Sequence, residues 1–168
     1  RWRAERVMVL DFDAHHGDGT EEILADRPGV RFLSLFQWPL FPHRRMEPTP
    51  SNAVLSPLPA GAGGEEIRNV VENVWLPEID KFQPDLMILS AGFDAHCEER
   101  IAQLKAGEMD YACVTRLLVE ASFAYCEGRL VSVLEGGYEL RSLARSVFTH
   151  LQGLIRNPLP AETCKDPN

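Results

Sequence analysis

Asp11-Phe12-Asp13-Ala14-His15-His16-Gly17-Asp18-Gly19 places carboxylates and imidazoles, groups that bind metal ions and move protons, directly after the apolar run Val7-Met8-Val9-Leu10. The run reads as a buried strand, and the glycines beyond it read as a turn. If the alternation of an extended segment continues, Asp11, Asp13 and His15 point to one side. Buried carboxylates cost several kcal/mol unless a cation or donors compensate them. The pattern is therefore either a metal-binding strand end or a polar turn. Leu86-Met87-Ile88-Leu89-Ser90-Ala91-Gly92-Phe93-Asp94 repeats the design, with a carboxylate where open α/β sheets place their ligands. Asp94 with Asp13 and His15 would form a two-Asp, one-His zinc site with a position left open for water, as a catalytic zinc requires. A third strand, Arg129-Leu130-Val131-Ser132-Val133-Leu134, runs into Glu135-Gly136-Gly137-Tyr138. Its glycines allow a sharp turn that presents Tyr138 at the same sheet edge.

The elements that must position these residues alternate between strand and helix, which predicts a parallel α/β sheet with helices on both faces. Thr20 is expected to cap a short helix running to Asp26, with Glu21 and Glu22 in its first turn. Residues 30–35 read as the second strand, and residues 37–59 as a long Pro-rich loop. After Gly61-Ala62-Gly63-Gly64, the spacing of Ile67, Val70, Val71, Val74 and Trp75 predicts an amphipathic core helix, which Pro77 kinks or ends. Asp110 is placed to cap a helix carrying Val114, Leu117, Leu118 and Ala121. A last helix over 140–155 carries Leu143, Val147, Leu151 and Leu154, with His150 a surface or packing residue. Residues 158–168 read as a loosely ordered tail.

The Asp11–Gly19 run, Ser90-Ala91-Gly92-Phe93-Asp94-Ala95 and Glu135-Gly136-Gly137-Tyr138 resemble, in order and spacing, three signature blocks of the zinc-dependent histone deacetylase and acetylpolyamine amidohydrolase family, over residues 7–154. The resemblance implies an arginase/deacetylase-like fold. It makes Asp13, His15 and Asp94 the zinc ligands and Tyr138 the donor to the carbonyl oxygen as it becomes an oxyanion. Asp11 and Asp18 correspond to carboxylates that orient a His-His general base and acid. Asp11, Asp13, His15, Ser34 and Leu35 match the residues that hold a structural potassium ion. Phe41 of the Phe41-Pro42 step, Gly92 and Ile101 fall to the substrate channel. Phe36, Trp38 and Leu40 either join its aromatic wall or pin the loop to the core.

The family's His-His pair lies upstream of the first block, so His16 is expected to pack rather than catalyse. Residues 1–168 accordingly read as the C-terminal portion of one deacetylase domain, incomplete at the N-terminus. Alone, the chain is expected to be inactive and to need its missing N-terminal half or to self-associate as a homo-oligomer. The substrate implied is an acetylated lysine peptide or an acetylpolyamine. The contrasting reading is a non-catalytic, metal-retaining module for binding or oligomerisation. An arginase-like two-manganese site would need further carboxylates near Gly17 and His96, and neither is one. Where relatives show Asp-Pro-Leu this chain has Glu99-Arg100-Ile101, which alters the charge of the channel rim.

Composition agrees with a globular piece, at 45% hydrophobic and 25% charged residues over 168 positions. No apolar run is long enough to cross a bilayer. A net charge of −8 argues against a nucleic-acid surface, which needs clustered Lys and Arg. The four cysteines, Cys97, Cys113, Cys126 and Cys164, form no Cys-x-x-Cys pattern, so reduced thiols and a cytoplasmic location are expected.

Overall fold

The strand runs assemble into one five-stranded sheet in a computed structural model that describes residues 3–155. The expected tail at 158–168 lies outside the described residues. Strands β1 (Val7–Asp11), β2 (Val30–Gln37), β3 (Ala53–Leu58), β4 (Leu86–Ala91) and β5 (Leu130–Leu134) lie in the order β3-β2-β1-β4-β5, and all pairings are parallel. Helices α1 (Asp18–Leu24), α2 (Gly64–Val70), α3 (Leu76–Phe82), α4 (Glu108–Cys126) and α5 (Leu140–Leu154) complete the fold.

Alternation along each strand divides the side chains between two faces. Met8, Leu10, Leu33, Leu35, Met87 and Leu89 pack with Ile67, Val71, Trp75, Ile79, Val114 and Leu118 into the main core. On the other face Phe32 and Phe36 pack against the His16 ring, whose partner Glu21 lies on α1. Helices thus cover both faces of a parallel sheet, as the alternating pattern predicts, with only α1 on the second face among the described residues. Edge strand β5 is less well covered, with Val131 50% and Val133 47% exposed.

Five local expectations are revised. Helix α1 begins at Asp18 with Gly17 at its cap, so Thr20 lies inside it and caps nothing. Within residues 37–59, β2 runs on to Gln37 and β3 follows. Pro57 hid that strand from a pattern reading, yet an edge strand has a free side where a missing N–H is tolerated. Pro77 does not end its helix. A π-helical stretch at Val71–Trp75, closed by Leu76 N–H on the Val71 carbonyl, precedes it, and α3 continues to Phe82. Cys97 and Cys126 are free thiols, but Cys113 is disulfide-bonded. Spacing along the chain could not reveal that, because a bridge depends on proximity in space. At α4, Gly107 holds the cap position, and Asp110 accepts its N–H at 2.8 Å from inside the first turn.

His150 on α5 is buried against Phe12 and Phe93. Thr115 Oγ1 gives its proton to the Tyr111 carbonyl and so accepts from His150 Nδ1 at 2.6 Å, while Ser132 Oγ donates to Nε2 at 2.8 Å. A neutral imidazole therefore ties α4, β5 and α5 together. Burial lowers its pKa to about 4. A folded-state value below the unfolded one gives stability that is complete above about pH 6.5 and lost as the pH falls toward 4. Urea unfolding should show a loss of about 3 kcal/mol between pH 7 and pH 4 from this residue. In His150→Gln that share of the pH dependence should disappear.

Candidate metal centre

The C-terminal ends of β1 and β4 are neighbours, with Asp11 in register with Ser90, so the segments beyond them carry Asp13, His15 and Asp94 to one point. Their ligand atoms all lie within 4.8 Å of one another. His15 Nδ1 is 3.0 Å from Asp13 Oδ1 and 2.8 Å from Asp94 Oδ2. The ring N–H is aligned on Asp13, which leaves Asp94 Oδ2 buried without an aligned donor. Backbone amides serve the remaining oxygens: Ala14 donates to Asp94 Oδ1 at 2.9 Å, His15 to Asp13 Oδ1 at 2.8 Å and Gly136 to Asp13 Oδ2 at 2.7 Å.

The electrostatics describe a cluster that lacks positive charge. Burial raises the Asp94 pKa, only partly offset by the His15 ring. Burial acts on Asp13 too, but hydrogen bonds from the His15 ring and from the amides of His15 and Gly136 outweigh it and bring its pKa below the ordinary value. The hydrogen bond to Asp13, and then the close Asp94 carboxylate, push His15 up to about 10. A proton held between two carboxylates occupies the place a cation would fill. The two carboxylates and a neutral imidazole nitrogen match the charge and the N/O donor preference of a divalent ion such as zinc.

Two glycines make this approach possible. A Cβ on Gly92 would lie 2.2 Å from Asp13 Oδ2, and one on Gly136 would lie 2.4 Å from Asp94 Oδ2. Gly137 has φ +138°, a torsion that side chains rarely adopt. The sequence pattern marked this pair as a turn, but Gly136 is needed for the space and the amide it gives the carboxylates.

The other expected site residues divide. Asp11, Phe41 and Tyr138 line a cavity of about 410 Å³ with Asp13 and His15, and Glu135 joins them without having been singled out from sequence. Asp11 is 3% exposed, and burial, partly offset by the Asp13 amide, raises its pKa well above the usual carboxylate value. Asp18 is not brought in: it is exposed at the start of α1, where its Oδ1 accepts Gly19 N–H at 2.8 Å. Ser34 is paired with Asp11 across β1 and β2, and Leu35 follows it; both are fully buried. Gly92 lies against Asp13 rather than lining the cavity. Ile101 is 52% exposed and lines an adjoining cavity on the other side of Tyr138. Phe36 is buried under His16 and Leu40 packs on the core, which leaves Trp38 and Phe41 as the exposed rings. His16 packs as expected: it is buried between Phe36, Ser34 Oγ and the Glu21 carboxylate that Arg44 also holds.

A second group, His96, Glu98 and Glu108, also brings three ligand atoms together. Arg145 already pairs with both carboxylates, His96 Nδ1 accepts the Glu98 amide at 3.1 Å, and His96 Nε2 lies 3.4 Å from Glu108 without a hydrogen bond. The Arg145 guanidinium thus already supplies the positive charge these two carboxylates face.

The sequence profile of the Histone deacetylase domain matches residues 1–154. Histone deacetylase 10, chloroplastic, of Oryza sativa subsp. japonica is 34% identical over 169 residues, covering 97% of this chain and 38% of that protein. A probable deacetylase of Archaeoglobus fulgidus is 38% identical over 142 residues, covering 81% of this chain and 40% of that protein. The crystal structure of an acetylpolyamine aminohydrolase from Burkholderia pseudomallei superposes with a TM-score of 0.79 at 28% identity, over 92% of this chain and 46% of that one. The chain spans about two fifths of the length of these two curated relatives. Among the described residues no helix is long and apolar enough to cross a membrane.

The glycine contacts lead to a paired prediction. Gly136→Ala should destabilise the protein by about 1–3 kcal/mol through overpacking. Gly19, inside α1 with nothing within 4 Å of its would-be Cβ, should tolerate alanine or gain up to about 1 kcal/mol. Urea midpoints of the two variants beside the wild type check both signs.

Proposed function

The chain belongs to the histone deacetylase domain family, and on that footing we propose that it carries the metal ligands and the oxyanion donor of a zinc-dependent deacetylase acting on acetylated lysine or acetylated polyamines. The observation that carries this reading is the convergence of Asp13, His15 and Asp94 on one point beside the cavity that Tyr138 borders. A zinc ion held there would supply Lewis-acid polarisation of the acetyl carbonyl and a more acidic water. The chain's own contributions follow from where its groups sit. Asp13 and Asp94 present carboxylates already anchored by backbone amides, so little reorganisation accompanies binding. Burial, with the negative charge of Asp94 and Asp13 nearby, raises the Tyr138 pKa. A phenol, with an ordinary pKa of about 10, keeps its proton at neutral pH and can donate a hydrogen bond to the carbonyl oxygen as charge develops there.

Potassium is proposed for the group Asp11, Asp13, His15, Ser34 and Leu35. The support is a buried Asp11 carboxylate with no Arg or Lys partner among the described residues. Phe41 and Ile101 border the cavities on either side of Tyr138, which suits them to hold the acyl-bearing arm. The names of relatives, which include a polyamine deacetylase of Mus musculus, support both substrate classes.

Metal analysis and kinetics test this together. Asp94→Ala should lose bound zinc and activity. In the upstream-extended protein, Tyr138→Phe should keep its zinc and lose roughly 10²- to 10³-fold in rate, the cost of one oxyanion donor. Undiminished zinc in the first variant or a near wild-type rate in the second would overturn the corresponding assignment.

The general base is proposed to come from a His-His pair outside residues 1–168, which then form the C-terminal portion of a larger deacetylase domain. The half-exposed valines of β5 support this, because a parallel strand is ordinarily buried on both faces. Residues 1–168 alone should fall short of an upstream-extended version by about 10²–10⁴ in turnover, the usual contribution of a positioned base. Equal turnover from the two would place the base within this sequence.

A further inference from the structure

Tyr138 is held in place by its backbone. It is 57% exposed, and no hydrogen bond to its hydroxyl exists among the described residues. On its N-terminal side the chain is fixed at Gly136, whose N–H donates to Asp13 Oδ2 at 2.7 Å and whose carbonyl accepts Phe93 N–H at 2.8 Å. Between that anchor and the tyrosine stands Gly137 at φ +138°, a residue with unusual torsional freedom. The next restraint is a single carboxylate oxygen: Glu99 Oε1 accepts the amides of Tyr138 at 2.6 Å and of Glu139 at 2.8 Å.

Glu99 stands five residues beyond Asp94, on the connection from β4 to α4. That connection is itself secured where Cys97 N–H donates to the Ala106 carbonyl at 2.8 Å, Ala106 N–H to the Ala95 carbonyl at 3.0 Å and Gln103 N–H to Gln37 Oε1 at 2.7 Å. One stretch of chain thus carries a metal-site carboxylate at its start and the acceptor for the tyrosine's backbone shortly after it. From this geometry we infer that Glu99 is a positioning residue, which sets where the Tyr138 hydroxyl stands relative to Asp94 by clamping the two amides that follow the Gly137 pivot. The inference rests on the deacetylase reading for the role of the hydroxyl, but the clamp itself is a property of the fold. An ordinary helix cap would use the same contacts, since Glu139 is the N-cap of α5. A cap would affect stability and be indifferent to the phenol.

The test combines amide hydrogen exchange with a double-mutant cycle in the zinc-loaded, upstream-extended protein. The Tyr138 and Glu139 amides should be protected in the wild type, lose protection by about tenfold or more in Glu99→Ala, and keep most of it in Glu99→Gln, which retains a neutral acceptor. Glu99→Ala should lower kcat on an acetyl-lysine peptide by about 10- to 100-fold, the scale of a small misplacement of a reacting group, with KM little changed. Glu99→Gln should recover most of the rate. In a Tyr138→Phe background the same Glu99→Ala change should cost little more, because both act through one hydroxyl. Unchanged exchange in Glu99→Ala overturns the clamp, and an equal loss of kcat in both backgrounds overturns positioning through Tyr138. If the upstream-extended wild type turns over neither an acetyl-lysine peptide nor an acetylpolyamine, the deacetylase reading fails, while the exchange result still upholds or overturns the clamp. Glu99→Gln, expected to melt near the wild type, guards against a folding defect in the alanine variant.

Discussion

Two carboxylates, Asp13 and Asp94, are buried against one imidazole, and much of the surrounding chain is arranged to make that tolerable. Desolvating like charges at this separation costs several kcal/mol without compensation. Here part of the compensation is built into the backbone, through three amides that serve three of the four carboxylate oxygens. The rest is left to the His15 proton or to a metal ion. The remaining orphan, Asp94 Oδ2, is where the protein by itself is incomplete.

That constraint explains the architecture around it. Strands β1 and β4 must be neighbours and parallel, because only then do two acid-bearing segments leave the sheet at the same end. The close approach removes the side chains of Gly92 and Gly136. The pairing also propagates past the strands: Phe12 N–H donates to Ser90 O at 3.1 Å, and Glu135 N–H to Ala91 O at 3.0 Å. The segment beyond β5 is thereby locked to the one beyond β4. Behind the site, Phe12, Phe93, Tyr111 and His150 form a packed cluster, which supports the site from the helical side with apolar contacts and one neutral imidazole.

The parallel sheet and the three strand-end blocks were legible in the sequence because each is a contiguous run in which periodicity and residue type agree. The packing role of His16 was legible as well. What escaped depends on space rather than on order along the chain. Strand β3 is short and contains Pro57, so its identity comes from its pairing with β2. The π-helical stretch before Pro77 reflects how a helix keeps Trp75 and Ile79 both in the core while passing a residue without an N–H. Asp18 matched a motif yet stands at the surface, and Glu99 matched none yet holds two amides. A carboxylate's role is set by which donors tertiary structure brings to it, and a spacing pattern does not record that.

The division of labour follows the strand order. The metal-site residues leave the central strands β1 and β4, where both sheet faces and neighbouring strands exclude water. Tyr138 leaves edge strand β5, and its side chain lies between two open cavities. The cation-holding role proposed for these groups would gain from a rigid, dry setting, since every interaction there is strengthened by the low dielectric. The substrate contact proposed for Tyr138 needs access, and an edge supplies it. The cost of an edge is mobility, and the chain offsets it without enclosing the phenol. Backbone hydrogen bonds to β4's extension fix the path up to Gly136, and a carboxylate from that same extension takes hold again after the flexible glycine. An exposed side chain on a doubly anchored backbone is thus how this fold combines access with precision.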